Sequence, residues 1–143
     1  MIIISSCLAG KRCRYDGSGC LDQELLDNVG AHRIDMCPEL LGGFSVPRLP
    51  CEIVGGDGAD VLAGNAAVID REGNDITAAM LAGACRALDN CLRSGAVKAY
   101  VKNYSPSCGC GKIYDGSFSS VLKKGNGIFT ELLLSCGIEA VGH

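Results

Sequence analysis

Three cysteines occupy positions at which a chain can do chemistry. Cys7 follows the β-branched run Ile2-Ile3-Ile4. Cys37 follows Arg33 to Met36, within Met36-Cys37-Pro38-Glu39. Cys108 follows Val97 to Val101, within Ser105-Pro106-Ser107-Cys108-Gly109. Each preceding run reads as a strand. In an open parallel sheet the ligand crevice lies beyond the carboxyl ends of the strands, so three loops leaving three strands would bring these thiols to one place. Structural zinc takes four Cys or His ligands, often as close CxxC pairs. The chain has no CxxC; its closest pair is Cys108-Gly109-Cys110, and His32 is its only internal histidine. Zinc is therefore a weak alternative. A thioredoxin-like pair lacks its motif, and a Cys–His hydrolase would have only His32 as base. A [4Fe–4S] cluster usually takes four thiolates. On three, one iron keeps an open position, which is what a Lewis-acid catalyst needs. Such a soft iron would accept sulfur from a substrate.

Other residues near these thiols carry candidate roles. Glu39, two positions from Cys37, can activate a water as a base, or simply supply negative charge to a helix N-terminus. Ser105 or Ser107 can donate a hydrogen bond to a substrate, or only shape the turn around Pro106. Arg14 and Arg48 can bind a carbonyl or an anion, although an ion-paired arginine is the commoner outcome. Lys11 and Lys112 follow glycines but miss the phosphate-loop spacing. Cys13 and Cys110 are extra thiols close to the candidate site, while Cys20 and Cys51 suggest no role. Two loops echo each other: Cys7 and Cys108 are each followed by Gly-Lys and then by Tyr-Asp-Gly-Ser, at Tyr15 to Ser18 and Tyr114 to Ser117. Asp16 and Asp115 are expected to shape these turns.

The elements that must position these residues alternate. Strands are expected over 2–4, 33–36, 66–69, 97–101 and 138–141. Leu21, Leu25, Leu26 and Val29 repeat at helical spacing, closed by Gly30. Asp75 or Thr77 can cap a helix whose face carries Met80, Leu81, Ala84, Cys85, Leu88, Cys91 and Leu92. A further helix carries Ile128, Phe129, Leu132, Leu133 and Cys136. Cys85, Cys91 and Cys136 are expected to pack as small hydrophobes in the core. Residues 42–65, rich in glycine and holding two of the four prolines, read as a long ordered loop or a small hairpin. The alternation predicts a three-layer, Rossmann-like α/β fold with a mostly parallel sheet, formed as a single domain over 1–143.

Composition narrows the class. The chain has 143 residues, 48% of them hydrophobic and 20% charged, an ordinary globular mix. Its net charge of −3 argues against bulk nucleic-acid binding. No apolar run approaches the ~20 residues of a membrane span. Ten cysteines would suit a secreted disulfide scaffold. However, no basic leader precedes the short N-terminal apolar run, and the apolar content suffices for a core. A cytosolic chain with reduced thiols is expected.

Taken together, the motifs resemble those of the 2-thiouracil desulfurase family. The resemblance rests on Cys7-Leu8-Ala9-Gly10 with Arg14-Tyr15-Asp16-Gly17, on Cys37-Pro38-Glu39 with Gly42-Gly43, and on Pro47-Arg48 with Pro50 and Glu52-Ile53. It extends through Gly55-Gly56-Asp57-Gly58, Asp75-Ile76-Thr77, Ser105-Pro106-Ser107-Cys108-Gly109 and Ile113-Tyr114-Asp115-Gly116. It implies a [4Fe–4S] cluster on Cys7, Cys37 and Cys108, whose remaining iron takes the sulfur of a thiocarbonyl substrate such as 2-thiouracil. Water then replaces the sulfur without net redox change. In this setting Glu39 is the expected base and Ser105 the expected hydrogen-bond donor to a small thiolated nucleobase or thioamide. Two other readings stay open, a non-catalytic cluster- or metal-binding sulfide carrier and a metal-free thiol redox sensor.

Overall fold

The computed structural model describes residues 1–143. Four short strands form a fully parallel sheet: β1 (Ile2–Ser5), β2 (Arg33–Met36), β5 (Lys98–Val101) and β8 (Glu139–Gly142), in the order β2-β1-β5-β8. Successive side chains of β1 point to opposite faces, and each face has its own core. Ile3 packs with Met36, Ala99 and Val101 under two helices, α4 (Thr77–Arg93) and α5 (Ile128–Ser135). Ile4 packs with Leu8, Leu25 and Leu26 under α1 (Gln23–Val29). Ile3 and Ile4 are fully buried. The sheet is thus covered on both sides, as parallel sheets require, and the three-layer α/β expectation holds.

The region between β2 and α4 differs from the expected pattern. The strand read over 66–69 is present as β4 (Ala67–Asp70), but it pairs antiparallel with β3 (Cys51–Val54) in a separate two-stranded sheet. The glycine-rich stretch 42–65 is therefore neither a plain loop nor a hairpin of its own: it holds one strand, β3, whose partner lies beyond it. Two short helices went unread, α2 (Pro38–Leu41) and α3 (Gly58–Leu62). The first starts on a proline, whose fixed φ suits that position. The second is held by a reciprocal capping box between Asp57 and Asp60. A further hairpin, β6 (Lys112–Tyr114) with β7 (Leu122–Lys124), lies within the glycine-rich loop after β5.

Helix ends follow local chemistry. Asp22 caps α1 by accepting from the Leu25 N–H, which leaves Leu21 outside the helix and exposed. Ile76 occupies the cap position of α4, while Asp75 accepts from the N–H and hydroxyl of Thr77. Thr77 Oγ1 in turn accepts from the Val68 N–H, pinning the start of α4 to β4. Of the three cysteines expected in the core, only Cys91 is buried. Cys85 and Cys136 are exposed, because Cys85 falls beside the buried arc of α4 and Cys136 lies past the last turn of α5. No helix is long and apolar enough to cross a membrane.

Candidate active site

The carboxyl ends of β1, β2 and β5 open onto one cleft of about 550 Å³, and Cys7, Cys37 and Cys108 all line it. Each is delivered differently. Cys7 sits in a tight turn leaving β1, its carbonyl accepting from the N–H groups of Gly10 and Cys20. Cys37 is the cap residue of α2, where its carbonyl accepts from Leu41. Cys108 is held at both backbone ends by side-chain hydroxyls. Its N–H donates to Ser105 Oγ at 2.8 Å, and its carbonyl accepts from the fully buried Thr130 at 2.9 Å. The loop that carries it also lends the carbonyls of Pro106 and Ser107 to the free N–H groups opening α5. Cys110, one residue beyond Gly109, turns away and reaches the carbonyl of Ala140. It does not line the cleft.

Glu39 also lines the cleft and is the centre of a short polar chain. Ser107 donates to Glu39 Oε2 at 2.7 Å, and Arg48 Nε donates to Oε1 at 3.1 Å. Arg48 continues to the carbonyls of Cys13 (2.9 Å) and Ser45 (3.2 Å). Its guanidinium is thus engaged on three acceptors, with the side chain only 9% exposed, and it serves as Glu39's partner rather than a free anion site. Ser105 lines the cleft too. Its oxygen is occupied by the Cys108 N–H, while its hydroxyl stands 3.5 Å from Ser107 Oγ.

Two further thiols lie at the site. Cys13 lies beside Cys37 and Cys7. The first favours its thiolate; the second, with burial, outweighs it and sets the Cys13 pKa at about 11. Cys37 is pushed up in turn, first by the neighbouring Cys13 thiol and then by burial. Burial raises Cys108 to about 12. Cys51, opening β3, lines the cleft and is pushed up by burial and then by the nearby Glu39 charge. Ligand binding by such thiols must release their protons, since a metal takes the thiolate.

The repeated Tyr-Asp-Gly-Ser sequences fold alike. Asp16 Oδ1 accepts from the N–H and hydroxyl of Ser18, and Asp115 Oδ1 accepts from those of Ser117. Both turns present their tyrosine to the cleft. One segment braces both. The Arg48 N–H donates to the Tyr15 carbonyl, and Glu52 Oε1 accepts from Gly116 and Phe118. Arg14 reaches Cys20 Sγ at 3.4 Å, and Lys11 is paired with Asp35 at 2.7 Å. His32 is exposed and lies outside the cleft lining.

The donor set can be tested against the candidate groups. No three His, Cys, Asp or Glu side chains converge tightly enough to hold a single metal ion. A four-iron cube is larger and takes its thiolates at separate corners, and three cysteines brought by three different loops to one cleft are a donor set that suits it. The sequence assigns no role to Thr130 or Phe118, and offers Glu52 only as part of a motif, without the contacts it makes here. A threonine in a largely apolar helix, with no motif around it, carries no signal of a contact 22 residues back.

Comparison with known proteins finds relatives over nearly the whole chain. A family profile described as 2-thiouracil desulfurase matches residues 2–142. The uncharacterized protein YbbK of Bacillus subtilis (strain 168) is 42% identical over 144 residues, spanning all of this chain and 95% of the relative. The solved structure of the [4Fe-4S]-dependent thiouracil desulfidase TudS superposes with a TM-score of 0.86 at 39% identity, over 99% of this chain and 89% of that one.

Proposed function

The chain belongs to the 2-thiouracil desulfurase family, and from that premise we propose that it removes sulfur from a thiocarbonyl compound such as 2-thiouracil, giving uracil and sulfide. The observation that carries this reading is one cleft lined by three strand-end thiols and by the Ser107–Glu39–Arg48 chain. Cys7, Cys37 and Cys108 would hold a [4Fe–4S] cluster. When bound, it supplies a soft iron without a protein ligand, a Lewis acid matched to a substrate's sulfur.

The protein's own groups handle the water. Glu39 takes its proton, and the two donors already on the carboxylate leave lone pairs free on both oxygens. Ser107 and Arg48 fix the direction in which those lone pairs point. The Ser105 hydroxyl, anchored through its oxygen by the Cys108 N–H, turns its proton to the substrate. A C–S bond breaks, a C–O bond forms, the water's protons leave with the sulfide, and no electrons are exchanged. The cleft lies within the 300–1,000 Å³ typical of small-molecule sites, which supports a free base or thioamide as substrate.

The test is anaerobic reconstitution, followed by iron and acid-labile sulfide analysis and chromatography of 2-thiouracil reactions. About four irons and four sulfides per chain are expected, with uracil and sulfide formed in equal amounts. Cys7→Ser should lose both the iron and the turnover. Iron uptake without uracil formation would favour the sulfide-carrier reading, and no iron uptake would sink both in favour of a thiol switch.

A further inference from the structure

We propose that Phe118 is the stacking surface that selects a planar heteroaromatic ring, and that the buried carboxylate of Glu52 is the positioning residue that holds it there. This deepens the desulfidase reading and rests on it. Phe118 lies on the loop between β6 and β7 and lines the cleft. Glu52, on β3, is only 9% exposed, and its Oε1 accepts from the N–H of Gly116 at 2.9 Å and of Phe118 at 3.2 Å. A buried carboxylate is costly unless its hydrogen bonds are made, and this one makes them to the loop.

The loop backbone is unusual as well. Phe118 and Ser120 have φ of 56° and 58°, in the left-handed region that bulky side chains rarely enter. Such a conformation persists only where its surroundings over-determine it, as at ligand clamps. Here Glu52 grips the loop from below. Gly116, at φ 93°, lies so close to β3 that a Cβ would stand 2.6 Å from the Ile53 carbonyl oxygen. Both left-handed residues line the cleft.

The other aromatic side chains are less suited. Tyr104 and Tyr114 meet edge to face, with centroids 6.1 Å apart, so they pack on each other. Tyr15 is 40% exposed at the rim. Phe118 pairs with no other ring and offers an apolar face. A pyrimidine ring has a broad π-face to lay against it, whereas an open-chain thioamide offers only the small plane of its N–C–S group.

The experiment combines two readouts on the cluster-loaded protein. One is calorimetric binding of uracil, which keeps the ring and lacks the sulfur; the other is steady-state turnover of 2-thiouracil. Phe118→Ala should weaken uracil binding and raise KM about tenfold with kcat nearly unchanged, since losing one base–aromatic stack costs roughly fivefold to a hundredfold in affinity. Phe118→Trp should keep both values, and Ser119→Ala, on the same loop but outside the cleft lining, should match the wild type. Glu52→Gln retains an oxygen to accept both N–H groups and should stay close to wild type. Glu52→Ala should raise KM as Phe118→Ala does, and the double variant should be no worse than either alone, a coupling that general destabilisation does not produce. Unchanged uracil affinity and KM in Phe118→Ala, beside normal wild-type turnover, would overturn the stacking role and leave the desulfidase reading intact. Wild-type protein that binds uracil through Phe118 but releases no sulfide would keep the ring site and sink the desulfidase reading.

Discussion

Glu39 has a donor on each carboxylate oxygen, Ser107 on one and Arg48 on the other. Its orientation is therefore set before any substrate arrives. Glu39→Gln keeps the shape and removes the proposed base, so the variant should load iron normally while kcat falls by about 10²- to 10⁴-fold, the range for a positioned general base; stopped-time assays on iron-matched samples measure it. The thiols make a separate prediction for the cluster-free chain. Cys108 has a folded pKa of about 12 against an ordinary value of 9.0, because burial disfavours the thiolate. A thiol with a raised folded pKa holds its proton more firmly folded than unfolded. Its contribution to stability is complete below about pH 9 and is lost as the pH rises towards 12. Chemical denaturation of reduced, cluster-free protein should show a midpoint that declines over that alkaline range, with a shallower decline in Cys108→Ala. That Cys7, Cys37, Cys108 and Glu39 would meet in one cleft was legible at this scale because each follows or adjoins a recognisable strand. Arg48's true partner was not legible, because an arginine nine residues from a glutamate meets it only once α2 has formed.

Among the elements, α2 is the least conspicuous and bears the most on the site. Its four residues include Glu39, and its cap is Cys37. It is fixed by close packing on α4. A Cβ on Gly83 would overlap the Pro38 carbonyl oxygen, and one on Gly42 would stand 2.6 Å from the Ala79 carbonyl oxygen. Gly83→Ala must push α2 outward. It should cost roughly 1–3 kcal/mol, as overpacking does, and should lower turnover more than cluster content, because Glu39 shifts while the other two cysteines stay in place. Thermal unfolding and iron analysis on one preparation separate the two effects. The sequence pattern revealed α1, α4 and α5, whose apolar periodicity runs for two turns or more. It concealed α2 and α3, because helices this short carry no period to read and are held by a proline, a capping box and contacts with distant chain. The β3–β4 hairpin was half visible: the short apolar run Ala66 to Ile69 marked its second strand, but only tertiary contact decides that it pairs outside the parallel sheet.

For the whole molecule, the three-layer order follows from composition and alternation, since a short parallel sheet has two apolar faces to cover. The net charge of −3 has a consequence for the substrate. A neutral base needs no electrostatic capture, so kcat/KM for 2-thiouracil should change by less than about twofold between roughly 50 and 200 mM salt, whereas a polyanionic substrate would lose orders of magnitude over that range. The three thiols belong to the ends of β1, β2 and β5, and β5 is reached only after the hairpin and both α3 and α4 have been made. No shorter stretch of chain carries the set. On the proposed ligand set, a nascent chain that has not yet emerged through Cys108 offers at most two of the three thiolates, so the site for a cluster is complete only late in synthesis.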